Sequence, residues 1–466
     1  MELSFLGHQG WAFGNSDAGT VLLDPLIESM GRGRVRLNVW PHRTLVFNQS
    51  SNILAIYISH EHSDHFDIET LWALPFRCKV LISPYSSDGM ERIIGSMGYS
   101  VERYAPFFTE TFSGISITPL PTKYVRSERD VFGFMVSEKD GSFLTSVDSY
   151  LSEEANGWLK ENCPERSADN YTNNAVSQCD SLNDDNLSYP NTERDFIKYV
   201  ADNLHDFIKE YSPQNVLISG LGWSYPEPLE RFNRIHFRAN CELLARLGSS
   251  LYFGINFTAP APGDRFLLNG NKCSRLENNS PYVKPLPTTI SREWCSLESK
   301  RPYDIRSFVG VKSLAKNELS RLLRFVEEEY GRRIFCCAPD LVAGLYALQS
   351  IHGRSADGLV LKIRNATETY AYLLSARHAC FDRLENSSEA NDFSLGVEMW
   401  ASDLAEIVQC REDAFVVYET SALRWNCFPS LFKEDILVEL FECFSPLHER
   451  ESWHASYQHR VALLLE

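Results

Sequence analysis

The chain has 466 residues and a formal net charge of −17, with 44% hydrophobic and 23% charged residues. This length predicts two or three domains, each with an ordinary soluble core. The acidic balance disfavours a nucleic-acid partner or an anionic membrane surface because phosphates would be repelled, and it leaves a small-molecule substrate open.

The location of the protein is predicted from what the sequence lacks. No apolar run reaches the length of a membrane span, and the first residues lack the basic and apolar regions of a signal peptide. The 12 cysteines are scattered without a Cys-x-x-Cys pair, which favours reduced thiols. We therefore expect a cytoplasmic protein with no membrane span; these features leave the oligomeric state open.

The first 150 residues alternate short apolar runs with turn residues, which is typical of an α/β domain. Ile53–Ser59 is a continuous apolar run and predicts a buried central strand. A hairpin turn is predicted at Lys139–Gly141. The other predicted strands are Leu3–Leu6, Val21–Asp24, Lys79–Ser83, Ile115–Pro119, Gly133–Ser137 and Phe143–Ser146.

The composition changes after this region. Residues 153–193 are polar and poor in aliphatic side chains, which predicts a long loop or a partly disordered insertion. Proline and asparagine punctuate residues 261–304, which predicts a linker. Between them we predict helices at Phe196–Tyr211 and Leu229–Leu247 and strands at Val216–Ser219 and Leu251–Ile255.

The final third is expected to be a separate α+β domain, residues 305–466. Leucines at helical spacing predict helices around Leu319–Val326 and Leu341–Leu348. Strands are predicted at Leu359–Ile363, Tyr370–Leu374 and Ala414–Tyr418, and a helix at Ser402–Val408.

The hexapeptide His60-Glu61-His62-Ser63-Asp64-His65 follows the predicted central strand directly. Alternation along an extended chain directs His60 and His62 to one side, and a turn can then bring Asp64 and His65 to a neighbouring position. Imidazole and carboxylate groups suit zinc, iron or manganese. Because ligands gather at the carboxyl ends of strands in α/β folds, the pattern favours a metal site over a solvated histidine-rich loop.

This HxHxDH motif resembles the metallo-β-lactamase superfamily, in the branch of ascorbate-phosphate lactonase and N-acyl-phosphatidylethanolamine phospholipase D. Three further stretches resemble that branch: FLGHQGWAF with VLLDPL, FLTSVDSY, and PEPLERFNRIHFRANCELLARLGSSLYFGINF. The resemblance covers residues 1–260. It implies an α/β fold, an αββα sandwich followed here by the smaller α+β domain. It also makes Asp148 the counterpart of the carboxylate that bridges two metal ions.

The resemblance assigns His60, His62 and Asp148 to a first ion, and Asp64, His65 and Asp148 to a second. Two family histidines are missing, because Tyr124 stands in the Pro-x-x-His position and the last histidine falls near Gly254 or Asn256. We therefore expect one or two zinc ions, with iron or manganese as alternatives. Residues that could complete the second site are Glu128, Asp130 and His236.

Other residues receive candidate roles from the same resemblance. Asp64 and Tyr124 are candidate catalytic residues, and His8 and His236 are candidate substrate contacts. His8 could instead support the metal ligands from beside the site or be a hydrogen-bonded core histidine, and His236 could be a surface residue or a helix cap. The segment FSLGVEMWASDLAEIVQCREDAFVVYETSALRWN resembles sterol-carrier-type domains in its order of strand, short helix and strand.

The function expected from these residues is that of a metal-dependent hydrolase. A metal-bound hydroxide would attack an ester, lactone, amide or phosphoester of a small molecule. The alternatives are an iron-dependent oxygenase on the same fold and a non-catalytic member with a degenerate metal site. Metal analysis would distinguish the three.

Overall fold

The structure is a computed structural model, and it describes residues 1–15, 18–31, 36–49, 51–123, 131–172, 192–225, 233, 240–288, 313–348, 350, 357–375, 378, 380–414, 416–417, 421–426, 440, 457–458, 460–462 and 464–465. The chain divides into two compact units. The first comprises Met1–Met30, Arg36–Gln178 and Pro190–Leu297, and the second comprises Gly31–Val35, Cys179–Tyr189 and Glu298–Glu466. No helix within the described ranges is both long enough and apolar enough to cross a membrane.

The strands of the first unit are, in chain order, β1 (Glu2–Gly7), β2 (Gly10–Asn15), β3 (Gly19–Leu23), β4 (Ser29–Met30), β5 (Leu37–Val39), β6 (Arg43–Leu45), β7 (Ile53–Tyr57), β8 (Lys79–Ile82), β9 (Ser100–Arg103), β10 (Glu110–Phe112), β11 (Ile115–Pro121), β12 (Phe132–Glu138), β13 (Gly141–Thr145), β14 (Ala168–Thr172), β15 (Asn215–Ser219), β16 (Trp223–Ser224), β17 (Asn256–Thr258), β18 (Arg265–Asn269), β19 (Lys272–Arg275) and β20 (Val283–Pro285). Its helices are α1 (Ile68–Ala73), α2 (Asp88–Ser96), α3 (Glu153–Asn162), α4 (Glu193–Tyr211) and α5 (Cys241–Leu251).

Two large sheets form the centre of this unit. One has the strand order β19-β18-β1-β2-β3-β7-β8-β9, and the other β10-β11-β12-β13-β14-β15-β17. Their inner faces share one apolar core, in which the rings of Trp11 and Phe143 lie 4.9 Å apart and those of Tyr57 and Phe134 lie 5.6 Å apart. Helix α2 packs beside β9, and α5 packs beside β15 and β17. The first unit is therefore an αββα sandwich, which confirms the predicted fold class.

Three amphipathic helices of the first unit begin at residues that cap them. Ser87, Thr192 and Asn240 accept hydrogen bonds from the first turns of α2, α4 and α5. Helix α4 buries a stripe of apolar side chains in the shared core: Phe196, Val200, Leu204, Phe207 and Tyr211. The predicted helix at Phe196–Tyr211 is thus observed with an additional amino-terminal turn.

The polar segment 153–193 is not a continuous loop. Its described part forms α3 and β14, and β14 lies in the middle of the second sheet between β13 and β15. The strand sequence ADNYT is polar, but some of its polar groups have partners inside the protein. Asp169 pairs with Arg166 at 2.6 Å, and the amide of Asn170 donates to Thr145. Residues 173–191 lie outside the described residues.

The predicted linker 261–304 also contributes to the first unit. Strand β18 pairs with β1, placing Leu3 opposite Phe266, and Asn269–Lys272 forms the turn of the β18–β19 hairpin. The asparagine and glycine residues therefore mark a hairpin turn within a sheet. The predicted strand at Leu251–Ile255 is also wrong, since α5 ends at Leu251 and the next strand, β17, begins at Asn256.

The second unit contains helices α6 (Lys316–Phe325), α7 (Gly331–Cys337), α8 (Pro339–Leu348) and α9 (Ala401–Val408) and strands β21 (Leu359–Asn365), β22 (Glu368–Leu374), β23 (Phe381–Arg383), β24 (Leu395–Trp400) and β25 (Leu423–Asn426). A π-helical turn, Val326–Tyr330, follows α6, and a 3-10 helix covers Ser387–Asp392. The sheet order is β23-β22-β21-β24-β25, with β21 and β24 parallel. The strand predicted at Ala414–Tyr418 is wrong, because residues 414, 416 and 417 are helical.

Candidate metal centre

The histidine hexapeptide connects the end of β7 to the start of α1. The backbone turns after His62, whose carbonyl accepts hydrogen bonds from His65 N at 3.0 Å and Phe66 N at 2.8 Å. This turn brings His65 back beside His60, so that their ring centroids lie 4.2 Å apart. Both rings are fully buried. Asp67 then caps α1 by accepting from Thr70 N at 2.8 Å.

Asp148 reaches the same place from the second sheet. It follows β13, and Val147 before it has a φ of 55°, a strained value for a β-branched residue. Its Oδ2 lies 2.8 Å from Nε2 of His65 and 3.6 Å from Nε2 of His60. The centre is therefore assembled across the two sheets.

Two buried polar residues orient the imidazoles. Ser59 Oγ donates to Asp24 Oδ2 at 2.7 Å, so at 2.9 Å it can only accept from Nδ1 of His60. Nδ1 of His65 donates to Asp24 Oδ2 at 2.8 Å. With both Nδ1 protons engaged, Nε2 of His60 and Nε2 of His65 are the atoms that can bind a metal ion.

His8 has the opposite arrangement. Its Nδ1 accepts from Gly222 N at 2.9 Å, so its Nε2 carries the proton and donates to Asp64 Oδ2 at 2.9 Å. As placed, His8 is a hydrogen-bonded buried histidine that holds Asp64. The predicted role of His8 as a substrate contact stays a prediction.

The structure assembles two groups of potential ligands within the described residues: His60, His65 and Asp148, and His8, Asp64 and His65. The sequence-based assignment grouped them differently, since it placed His62 with Asp148. His62 joins neither group, but its Nδ1 lies 2.8 Å from Nε2 of His60.

The separations of these donor atoms suit a shared ion. Two ligands on one zinc ion at a tetrahedral angle lie about 3.3 Å apart. The pairs His60–His62, His60–Asp148 and His65–Asp64 have donor atoms 2.8, 3.6 and 3.5 Å apart. The imidazole and carboxylate donors therefore fit one or two divalent ions.

The buried histidines differ in their affinity for protons. Burial lowers the pKa of His60 well below its usual value, and the neighbouring His65 and His62 lower it further. Burial alone would lower the pKa of His65, but the carboxylates of Asp148, Asp64 and Asp24 raise it well above its usual value. Burial opposes ionisation of Asp64, yet His65 and His8 hold the pKa of this carboxyl well below its usual value.

The sequence analysis placed the missing last histidine near Gly254 or Asn256, and the structure corrects this placement. Strand β17 pairs with β15 in parallel, and Asn256 lies opposite Asn215, at the amino-terminal end of β15. The candidate metal ligands lie near the carboxyl end of that strand, where Ser219 contacts Gln9. Gly254 and Asn256 are exposed at the other end of the sheet, so neither occupies the site.

Several predicted site residues lie outside the described residues: Tyr124, Glu128, Asp130 and His236. The sequence analysis gave no site role to Ser59, Gln9 or Asp24. Asp24 belongs to the VLLDPL stretch, so a signal for it was present. Gln9 lies in the FLGHQGWAF stretch next to His8, so the same kind of signal was present for it.

Several solved structures are similar to part of this chain. The isothiocyanate hydrolase from Delia radicum gut bacteria is similar over 58% of this chain and 100% of its own, with 13% identity and a TM-score of 0.40. CmlA, a diiron β-hydroxylase from Streptomyces venezuelae, is similar over 59% of this chain and 54% of its own, with 16% identity and a TM-score of 0.37. The metallo-β-lactamase fold protein YhfI from Bacillus subtilis covers 55% of this chain and 96% of its own, with 11% identity and a TM-score of 0.34. No family model and no curated protein matches the sequence.

Proposed function

We propose that the first unit is the catalytic domain of a metal-dependent hydrolase of the metallo-β-lactamase superfamily. The observation that carries this proposal is the convergence of Nε2 of His60, Nε2 of His65 and Oδ2 of Asp148, with both Nδ1 atoms engaged elsewhere. A buried cluster of imidazoles and carboxylates oriented in this way is typical of metal sites and unusual for a plain core.

The ligands in this proposal are His60, His62 and Asp148 for one ion and Asp64, His65 and Asp148 for a second. The ion is zinc in our proposal, with iron or manganese as alternatives. A bound divalent ion would lower the pKa of a coordinated water and polarise the bond under attack.

A carboxylate of the protein would orient that water. Asp64 Oδ2 is held by His8, and Asp64 Oδ1 has no hydrogen-bond partner in the described part of the chain. Its lowered pKa keeps this carboxylate ionised, so Oδ1 can accept a hydrogen bond from a bound water and orient it. The substrate class is an ester, lactone, amide or phosphoester of a small molecule. Tyr124 stays a candidate catalytic residue, and His8 and His236 stay candidate substrate contacts.

The second unit is proposed to be a sterol-carrier-like α+β domain. The succession of β24, α9 and β25 supports this proposal, since it is the strand, helix and strand order that the sequence resemblance implied. Trp425 packs against Gly396 and donates from Nε1 to Phe393 O at 2.9 Å, so this residue is a core residue of the unit.

Elemental analysis of protein purified without a histidine tag tests the metal site. We expect bound zinc in the wild type, and loss of most of it in His60→Ala and His65→Ala. The matched control is His205→Ala, an exposed histidine on α4. Hydrolysis of nitrophenyl esters and phosphoesters would be measured before chelation, after chelation and after zinc is restored.

The alternatives have distinct outcomes in the same experiment. Paired iron with a near-ultraviolet absorption band would favour an iron-dependent oxygenase over a hydrolase. A wild-type protein that takes up no zinc, iron or manganese would contradict the proposal and favour a non-catalytic member.

A further inference from the structure

The side chain of Gln9 bridges the two sheets beside the metal centre. Gln9 lies in the turn between β1 and β2 and is buried. Its Nε2 donates to Oδ1 of Asp148 and, at 3.0 Å, to Oγ1 of Thr172. Ser219 donates to its Oε1 at 3.5 Å. These three partners all follow or end strands of the second sheet.

The orientation of the Gln9 amide follows from its partners. A carboxylate oxygen accepts hydrogen bonds, so the amide nitrogen must face Asp148. Oδ1 of Asp148 is thereby engaged, and Oδ2 is the oxygen that faces Nε2 of His65 and Nε2 of His60. The strained backbone at Val147 and the amide of Gln9 thus hold Asp148 from two directions.

We infer that Gln9 is a positioning residue that makes Asp148 present a single oxygen, Oδ2, to both metal positions. This inference rests on the proposed metal site and assigns a role to a residue that binds no metal itself. The neutral amide suits this role, since a carboxylate at position 9 would repel Asp148 in a cluster that already contains Asp24 and Asp64.

The consequence is a defined loss of metal affinity when the donor is removed. Partners that orient metal ligands typically contribute about 10–100-fold to metal affinity. Gln9→Met keeps the length of the side chain and removes the donor, and Gln9→Glu keeps the shape and replaces the donor with an acceptor. We expect both variants to bind zinc and cobalt about 10–100-fold more weakly than the wild type.

The experiment measures binding directly, without an activity assay. Zinc affinity would be determined by competition with a chromophoric chelator, and the visible spectrum of the cobalt-loaded protein would report the ligand geometry. Thr172→Val is the matched control, because it removes the second acceptor of Gln9 and leaves the bond to Asp148. Circular dichroism would verify that each variant is folded.

The outcomes distinguish a failure of the positioning role of Gln9 from a failure of the proposed metal site. Weaker binding and an altered cobalt spectrum in both Gln9 variants, with near wild-type values in Thr172→Val, support the positioning role. Wild-type affinity and spectrum in a folded Gln9→Met protein would overturn it. A wild type that binds neither zinc nor cobalt would contradict the proposed function instead.

Discussion

Oδ2 of Asp24 accepts a hydrogen bond from Nδ1 of His65 at 2.8 Å, although 41 residues separate them in the chain. The same carboxylate also accepts from Ser59, both from its backbone N at 2.8 Å and from its Oγ at 2.7 Å. Asp24 thus satisfies three donors, and through them it sets the direction of both buried imidazoles, His60 and His65.

Asp24→Asn should weaken zinc binding by about 10–100-fold. An amide has one accepting oxygen, so one of the three donors would face an NH₂ group. Competition with a chelator would measure the change. The control is Asp140→Asn, the same substitution in the exposed turn between β12 and β13. Equal zinc affinity in Asp24→Asn and the wild type would refute the orienting role of Asp24.

Metal binding should release a proton from His65. The raised pKa of His65 means that the metal-free protein carries an imidazolium at neutral pH, and a metal ion must displace its proton. His60, whose pKa is lowered, is already neutral and contributes no proton. Apparent zinc affinity should therefore increase as the pH rises from about 6.5 towards the raised pKa.

Calorimetry in two buffers of different ionisation enthalpy would detect this release. The stability of the metal-free protein should change in the opposite direction. A raised folded-state pKa stabilises the fold below the unfolded value of about 6.5, and this contribution is lost as the pH rises through the folded value. A binding enthalpy that is the same in both buffers would contradict a protonated His65.

Arg43→Met should leave the free energy of unfolding unchanged or raise it by up to about 4 kcal/mol. The guanidinium of Arg43 is buried, Nη1 donates to Pro41 O at 3.3 Å, and no carboxylate pairs with it among the described residues. Burial lowers its pKa to about 9, so the charge persists at neutral pH. Urea denaturation would measure the effect.

The exposed Arg92 provides the comparison for that experiment. Arg92→Met should change the free energy of unfolding by less than about 0.5 kcal/mol. If Arg43→Met destabilised the protein by several kcal/mol, the guanidinium would have acceptors that this arrangement lacks.

A fragment ending at residue 297 should fold, and one ending at residue 265 should not. The shorter fragment lacks all of β18 except its first residue, and the missing Phe266 and Leu268 are buried in the shared core. Burial of two such side chains contributes about 1.5–3 kcal/mol each, and loss of β18 also exposes an edge of β1. Solubility and circular dichroism would be compared. Equal stability of the two fragments would place the end of the first unit before β18.

Much of the first unit could be predicted from the sequence because its strands, turns and helices have recognisable patterns of apolar and turn residues. A pattern within a few neighbouring residues was enough to predict three elements: the apolar strand β7, the hairpin turn at Lys139–Gly141 and the amphipathic helix α4. Strand β14 was missed because its sequence, ADNYT, is polar. Its burial depends on partners such as Arg166 and Thr145, and the pattern of the strand itself does not contain them.

The sequence by itself determined that His60, His62, Asp64 and His65 follow a buried strand, since the order of residues along the chain is sufficient for that. Only the tertiary structure decided which atoms meet. Asp148 and Gln9 reach the centre from different sheets, and His8 is turned towards Asp64 by a backbone N–H 214 residues away. The physical reason is that the tautomer of a histidine depends on the partner of its other nitrogen, and that partner is brought to it by the packing of the two sheets.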